Sequence, residues 1–291
     1  MTGPGVLAGL SVVTLSPNLP GPLAAAALLD DGARVVKVEP PGGDPLKALS
    51  AGWYADLHRG VEVWTLDLKT DAGQAELRAL LAGADLLLTS SRPSALARLG
   101  LSPAALDADF PHLCRVRIVG DTRDPETPGH DLTYQAAAGL LDPMNPAMPR
   151  TLLADVLGGH EAYAAALALL LGRERGSAER ERVVGLGDAA RFAAAPLRYG
   201  LTAPGGLLSG AQATYRLYRT ADGWVAAAPL EAHFAGRWMA TLGPHAERTL
   251  AGHPTAHWVD VAAREDLPLV AVTEAEGPWG DQSDSAFTNR R

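Results

Sequence analysis

The chain has 291 residues and a formal net charge of −8, with 47% hydrophobic and 20% charged residues. That length and composition suit one large or two smaller folded domains with a sizeable core, and the acidic balance argues against a nucleic-acid partner. A single cysteine, Cys114, rules out a disulfide framework and suits a reducing compartment. It sits in the apolar run LCRV and reads as a buried small hydrophobe rather than a nucleophile. The longest uninterrupted apolar run, residues 162–171, falls short of the ~20 residues that cross a bilayer. No basic stretch precedes the first apolar run, as a secretory signal requires. The expectation is a soluble cytoplasmic protein with no membrane partner.

In chain order, residues 10–15 read as a buried strand. PGP then opens a helix through residue 29, where a first-turn proline costs little, and Gly32 stops it. RVVKV, residues 34–38, is the next strand. A helix follows over 71–81, with Asp71 as a plausible cap. Strands over 85–89 and 113–119 bracket two short helices, 94–99 and one starting at Ser102-Pro103. Strands separated by helices predict a parallel sheet with helices on its faces. Ligands bind such sheets beyond the strands' C-terminal ends, here the loops 16–22, 39–47, 90–93 and 120–130. Neither the phosphate-loop nor the dinucleotide fingerprint is present. Past residue 200 the texture changes. Residues 215–219 and 224–228 flank TADG, a hairpin with an Asp-Gly turn, and a helix over 232–242 completes a small α+β unit. The polar tail from about residue 280 reads as frayed.

Four segments carry groups capable of chemistry: GHD at 129–131, LLADVLGG at 152–159, PLE at 229–231 and KVEPPGGDP at 37–45. Taken singly, each has a plain alternative. Asp155 and Asp131 sit where helix caps occur. A loop histidine such as His130 is usually solvated or packed. Glu231 can begin a helix, where the dipole favours a carboxylate. His160 follows Asp155 by five residues, not the three or four of a helical metal pair, so no metal site is expected.

Together with GLSVVTLSPNLPGPLAAAALLDDGARVVKVEPPGGDP, LDLKTDAG, ADLLLTSSRPSALARLGLSPAAL, GHDLTYQAAAGLL and YRTADGWVAAAPLE, these segments resemble the class III CoA-transferase family over about residues 7–242. In motif the chain is most similar to the family's 2-methylacyl-CoA racemases. The resemblance implies an α/β fold: a Rossmann-like large domain over residues 1–205, a small domain over 206–253, and a C-terminal segment, 254–291, whose residues 267–279 rejoin the large domain. It also implies an interlocked homodimer. No separate cofactor is implied, because coenzyme A arrives as part of the acyl-CoA substrate.

The resemblance assigns catalysis to His130, Asp155 and Glu231. In the transferases the matching aspartate forms a covalent intermediate. In the racemases it is an acid/base, paired with the histidine of GHD and supported by the glutamate near the hairpin. Formyl-CoA-type transferases generally lack that histidine, so His130 favours the racemase branch. Removing and returning a proton α to a thioester needs two acid/base groups, one on each face of the carbon. The enolate oxygen needs donors, and the amides at the start of the helix after Asp155, with Gly158-Gly159 permitting close approach, are expected to supply them.

Lys37, Lys47, Arg59 and Arg92 are the candidate cations for the CoA phosphates. Three departures stand out. Where the family has a basic Arg-Gly-Lys-Arg run, this chain has RGVEV, with Val61 and Glu62 in place of two cations. Each charge-assisted contact is worth about 1.5–3 kcal/mol, so weakened or absent CoA binding in a repurposed member is one reading of the chain. The spacing from His130 to Asp155 is also short, and Pro204-Gly205-Gly206 is a poor substitute for the glycine-rich lid of formyl-CoA transferases.

Overall fold

The computed structural model describes residues 5–275, which form two units, 5–193 and 194–275. In the first unit six strands make one parallel sheet: β1 (Ser11–Thr14), β2 (Arg34–Glu39), β3 (Glu62–Thr65), β4 (Leu86–Thr89), β5 (Cys114–Val119) and β6 (Glu181–Gly185). Their order is β3-β2-β1-β4-β5-β6, so the winding reverses between β1 and β4. This is the doubly wound order expected from the resemblance, and the crevice at the reversal is where such sheets take ligands.

The crossovers run through α1 (Pro20–Asp30), α2 (Pro45–Leu49), α3 (Ala51–Leu57), α4 (Asp71–Ala82), α5 (Pro93–Arg98), α6 (Pro103–Asp109), α7 (Asp131–Ala137) and α8 (Leu153–Glu174), and α9 (Leu186–Ala193) follows β6. One sheet face is covered by the alanine-rich sides of α1 and α8, where Ala24, Leu28, Ala162 and Leu169 meet Val12, Leu86 and Val116. The other is covered by Leu77 and Leu81 of α4 with Leu96 and Leu106, against Val13 and Leu87. Each such leucine contributes about 1.5–3 kcal/mol by leaving water. Cys114 is fully buried on β5, and burial pushes its thiol up. The four central strands match the apolar runs of the sequence. The edge strands carry no such run, because EVWT of β3 is exposed throughout and β6 buries only its last residues.

α8 is 22 residues long, and by length and composition alone it is apolar enough to cross a membrane. In this structure its apolar side is core: Ala162, Ala166 and Leu169 lie in the same cluster as α1. Gly159 lets the two helices touch, since a Cβ there would sit 2.8 Å from the Pro20 carbonyl oxygen, and one on Gly158 would sit 2.4 Å from Leu186. These glycines serve packing between elements of the fold and not the access to an enolate expected from the sequence.

The second unit holds α10 (Ala195–Arg198), β7 (Arg216–Arg219), β8 (Trp224–Ala227), α11 (Ala232–Leu242), α12 (Ala246–Ala251), α13 (Thr255–Glu265) and β9 (Leu269–Ala271). The expected hairpin is β7–β8, closed by the Gly223 amide on the Thr220 hydroxyl, 3.0 Å. The domain bounds differ from expectation. The second unit begins at Ala194, not 206, and residues 254–271 stay with it. β9 pairs with β8, and Trp258, Ala262 and Leu269 complete a core with Tyr218, Val225 and Trp238. Two strands and one helix cannot bury their apolar faces alone, so α12, α13 and β9 are recruited to close them. Of the segment 267–279 expected in the large domain, 267–275 lie in the second unit, with 269–271 forming β9, and 276–279 lie outside the described residues, as does the polar tail.

Candidate active site

The loops leaving β1, β4 and β5 enclose a cleft of about 180 Å³, lined by Asn18, Ser90, Gly120, His130, Tyr134 and Asp155 among others. It adjoins a larger cavity of about 370 Å³ that shares Ser90, His130 and Tyr134 and adds Arg92 and Thr133. The cleft therefore stands at the C-terminal ends of the central strands, beside the reversal in strand order.

Local chemistry places each side chain. His130 is the N-cap of α7. Its backbone is fixed by Thr133, whose hydroxyl accepts from the His130 amide (3.1 Å) and donates to the His130 carbonyl (2.7 Å), leaving the exposed imidazole directed to the cleft. Asp155 lies in the first turn of α8, partly buried. It is not the cap of its helix. That task falls to Asp131, which caps a helix other than its own. The buried Asp131 carboxylate accepts from the amides of Ala154 (2.7 Å) and Asp155 (3.1 Å) and from the Gln135 side chain (2.6 Å). Gln135 also donates to the Thr151 carbonyl, 3.1 Å, at the mouth of α8. The first amides of α8 are thereby occupied, so they are not the free enolate donors expected from the sequence.

Burial pushes the Asp155 carboxyl up to about 6, the nearby Asp131 carboxylate adds to the rise, and His130 partly offsets it. Near neutral pH this group therefore exchanges its proton readily, as acid/base work requires. Tyr134 was not singled out from the sequence, although it lies in the GHDLTYQ stretch. Burial, then Asp155 and Asp121, raise its hydroxyl, while Arg92 lowers it. Its ring leaves no room for side chains at two neighbouring positions: a Cβ on Gly129 would fall 2.5 Å from the ring, and one on Gly120 2.6 Å from the hydroxyl.

The four candidate cations divide. Arg92 lines the larger cavity with His130 and is exposed. Lys47 is exposed on α2, 5.6 Å from the centre of the Tyr54 ring. Lys37 is not a phosphate ligand in this arrangement. It is 1% exposed, and its ammonium is paired with Asp44, with Glu39 at 3.3 Å and with His58 Nε2 at 2.7 Å. The carboxylates and the imidazole lie close enough together to hold a metal ion, and the Lys37 ammonium contacts all three. Arg59 is not at the cleft either. It pairs with Asp56 at 2.6 Å in the turn before β3, where a Cβ on Gly60 would sit 3.3 Å from Leu29, near the far end of α1. Val61 and Glu62 belong to that same end. Val61 packs on the core, and Glu62 forms a two-pronged ion pair with Arg34 at 2.9 Å. Glu231 is the N-cap of α11 in the second unit and makes no capping hydrogen bond through its side chain.

The chain matches the family model described as CoA-transferase family III over residues 7–282. It is 35% identical to the human alpha-methylacyl-CoA racemase over 254 residues, covering 81% of this chain and 65% of that one. It is 33% identical over 186 residues to the probable fatty acyl-CoA transferase Rv3272 of Mycobacterium tuberculosis (strain ATCC 25618 / H37Rv), covering 58% and 47%. The crystal structure of Rv3272 superposes with a TM-score of 0.83 at 26% identity, covering 94% of this chain and 85% of that one. The chain thus spans 65% and 47% of the length of these two curated relatives. A match that runs through both structural units admits one assignment: the chain belongs to CoA-transferase family III.

Proposed function

We propose that the protein is an acyl-CoA racemase or epimerase acting on 2-methylacyl-CoA-type thioesters. The observation that carries this reading is the pairing, in one cleft, of His130 with an Asp155 carboxyl held at about 6. One group, as free base, takes the α-proton. The C–H electron pair moves into the thioester carbonyl to give the enolate, and the other group, protonated, returns a proton to the opposite face. Each then carries the other's starting protonation state, which suits the reverse direction. Arg92, in the adjoining cavity, is the cation best placed for the anionic part of CoA. Glu231 enters this reading on the family resemblance alone, as do the homodimer and the cytoplasmic setting. The placement of Val61 on the core and of Glu62 against Arg34, away from the residues lining the cleft, supports retained CoA binding over the reading of a repurposed member.

The test is solvent deuterium entering the α-position of a 2-methylacyl-CoA, followed by mass spectrometry, with loss of optical purity measured in parallel. Both are expected for the wild-type protein. In Asp155→Asn both are expected to fall by about 10³-fold, as the loss of an essential acid/base demands. No exchange in the wild-type protein across thioesters of varied chain length overturns the reading. The second reading, a CoA transferase with Asp155 as nucleophile, is favoured by the transferase name of the mycobacterial relative. It predicts an acyl or CoA adduct on Asp155 that hydroxylamine traps.

A further inference from the structure

The cleft holds a polar side chain that neither the sequence motifs nor the proposed acid/base pair accounts for. Asn18 follows β1, lines the cleft with His130 and Asp155, and has a positive φ of 64°. Among non-glycine residues this left-handed backbone favours Asn and Asp. It is locked from outside the cleft: the Asn18 amide donates to Asp44 Oδ1 at 3.0 Å, and the same oxygen accepts from the Leu46 amide at 2.9 Å. The other Asp44 oxygen is held by Lys37. The Asn18 side-chain amide itself makes no hydrogen bond among the described residues, and two N–H donors are left without a protein partner beside Asp155.

An oxyanion site gains from more than one donor. Of the helices that begin at the cleft, α7 offers the Asp131 and Leu132 amides beside His130, which have no acceptor among the described residues, whereas α8 and α1 add little. In α8 the Ala154 and Asp155 amides are taken by Asp131, and the Val156 amide by the Leu152 carbonyl at 2.9 Å. In α1 the first turn is PGP, where two of three residues have no N–H. We propose that the Asn18 side-chain amide is a catalytic donor that hydrogen-bonds the thioester oxygen of the substrate as it takes on negative charge. A neutral amide donates at every working pH, and the Asn18 backbone, fixed through the buried Asp44–Lys37 pair, anchors the side chain at the cleft. The same contact serves an enolate or the tetrahedral adduct of Asp155 attack. The proposal rests on the thioester reading above, but not on which of its two chemistries operates.

The variant that isolates the side chain is Asn18→Gly, because glycine keeps the left-handed backbone and deletes only the donor. Wild-type, Asn18→Gly and Tyr134→Phe proteins are compared for α-deuterium exchange and for CoA transfer, with acyl-CoA affinity by calorimetry and thermal melting as controls. Asn18→Gly is expected to lose about 10²–10³-fold in kcat, the range for one deleted oxyanion donor. Its acyl-CoA Kd is expected to stay within about threefold, since the interaction strengthens only as charge forms. Asn18→Asp, the same shape with a donor turned into an acceptor, is expected to fall at least as far. Asn18→Gly retaining more than half of wild-type turnover overturns the proposal, as does equal loss of kcat and affinity, or a loss seen only in Tyr134→Phe. A wild-type protein that transfers CoA but exchanges no α-proton, with transfer lost in Asn18→Gly, sinks the racemase reading and leaves the donor standing. A wild-type protein that does neither overturns both.

Discussion

Charge is gathered on both sides of β1, and the two clusters are settled in opposite ways. Toward β2, Lys37, Glu39, Asp44 and His58 are each buried, and the Lys37 ammonium faces both carboxylates. The Tyr54 hydroxyl donates to Glu39 at 2.7 Å, and His58 Nδ1 reaches the Tyr54 carbonyl oxygen at 2.6 Å. Burial favours a higher value for Asp44, but Lys37 and the Asn18 and Leu46 amides outweigh it and leave the carboxyl below its usual range. Burial, then Lys37, lower His58 and keep it neutral, so its Nε2 accepts from the ammonium. Toward β4 the Asp155 carboxyl has burial and a neighbouring carboxylate against it and only His130 in its favour. One cluster is compensated and holds the backbone. The other is left short of compensation, and its Asp155 carboxyl is pushed up to about 6, close to where chemistry at neutral pH needs it.

The largest expected effect separates the two clusters by stability. Lys37→Met leaves the Asp44 and Glu39 carboxylates buried together without their cation. Removing one partner of a buried pair costs about 3–5 kcal/mol, and denaturant unfolding is expected to show a loss in that range at pH 7. An unchanged midpoint means that the compensated cluster is not compensated by Lys37, and the contrast with Asp155 fails.

A smaller effect runs the other way. Asp155 has a folded value of about 6, above its ordinary 3.8, so its charged form is disfavoured in the native state. Between these values the native protein binds more protons than the unfolded chain, and stability falls as pH rises through the window. Above pH 6 the penalty is complete. At 1.36 kcal/mol per pKa unit, and allowing for partial exposure, Asp155→Asn is expected to gain about 1–3 kcal/mol at pH 7. The gain should shrink as pH falls from 6 to 4. A variant less stable than wild type at pH 7 contradicts the picture of a strained carboxylate. In the wild-type enzyme, turnover in the direction that uses Asp155 as base is expected to fall about tenfold per unit below pH 6.

The central strands were legible because a strand buried on both faces is rich in branched apolar residues, continuously so in LLLT and broken only by two arginines in CRVRIV. β3 and β6 were not, since these edge strands carry charged and polar residues that local pattern cannot tell from loop, and β9 was not because three residues, LVA, are too short to show a period. His130 and Asp155 were legible through the stretches around them. Asn18 and Tyr134 were not, because one polar residue in a loop or helix has no period of its own. Lys37 was misjudged for a related reason: a lysine on an otherwise apolar strand reads as a surface cation. The groups that bury it, Asp44 and His58, lie 7 and 21 residues further along and meet it only once α3 folds back. The capping of α8 by Asp131 was hidden in the same way, because a cap supplied from 23 residues upstream has no local signature.

The smallest expected effect tests whether the C-terminal edge of the sheet alone takes the substrate. Arg92 lines the cavity that adjoins the acid/base pair, whereas Arg59 is paired with Asp56 beside Gly60, near the last turn of α1. α1 begins at the cleft with Pro20 and runs 11 residues, about 16 Å at the usual rise per residue, before Asp30 ends it. A phosphate bound at Arg92 therefore lies at the other end of that helix from Arg59. Losing one charge-assisted contact of about 1.4 kcal/mol is a tenfold change, so Arg92→Ala is expected to raise the acyl-CoA KM about tenfold with kcat little altered. Arg59→Ala deletes an exposed i,i+3 ion pair and is expected to leave KM within about twofold. Equal effects at the two positions, read from initial rates with CoA thioesters against thioesters lacking the nucleotide, place the phosphates across both ends of the sheet and remove the division on which the assignment of Arg92 depends.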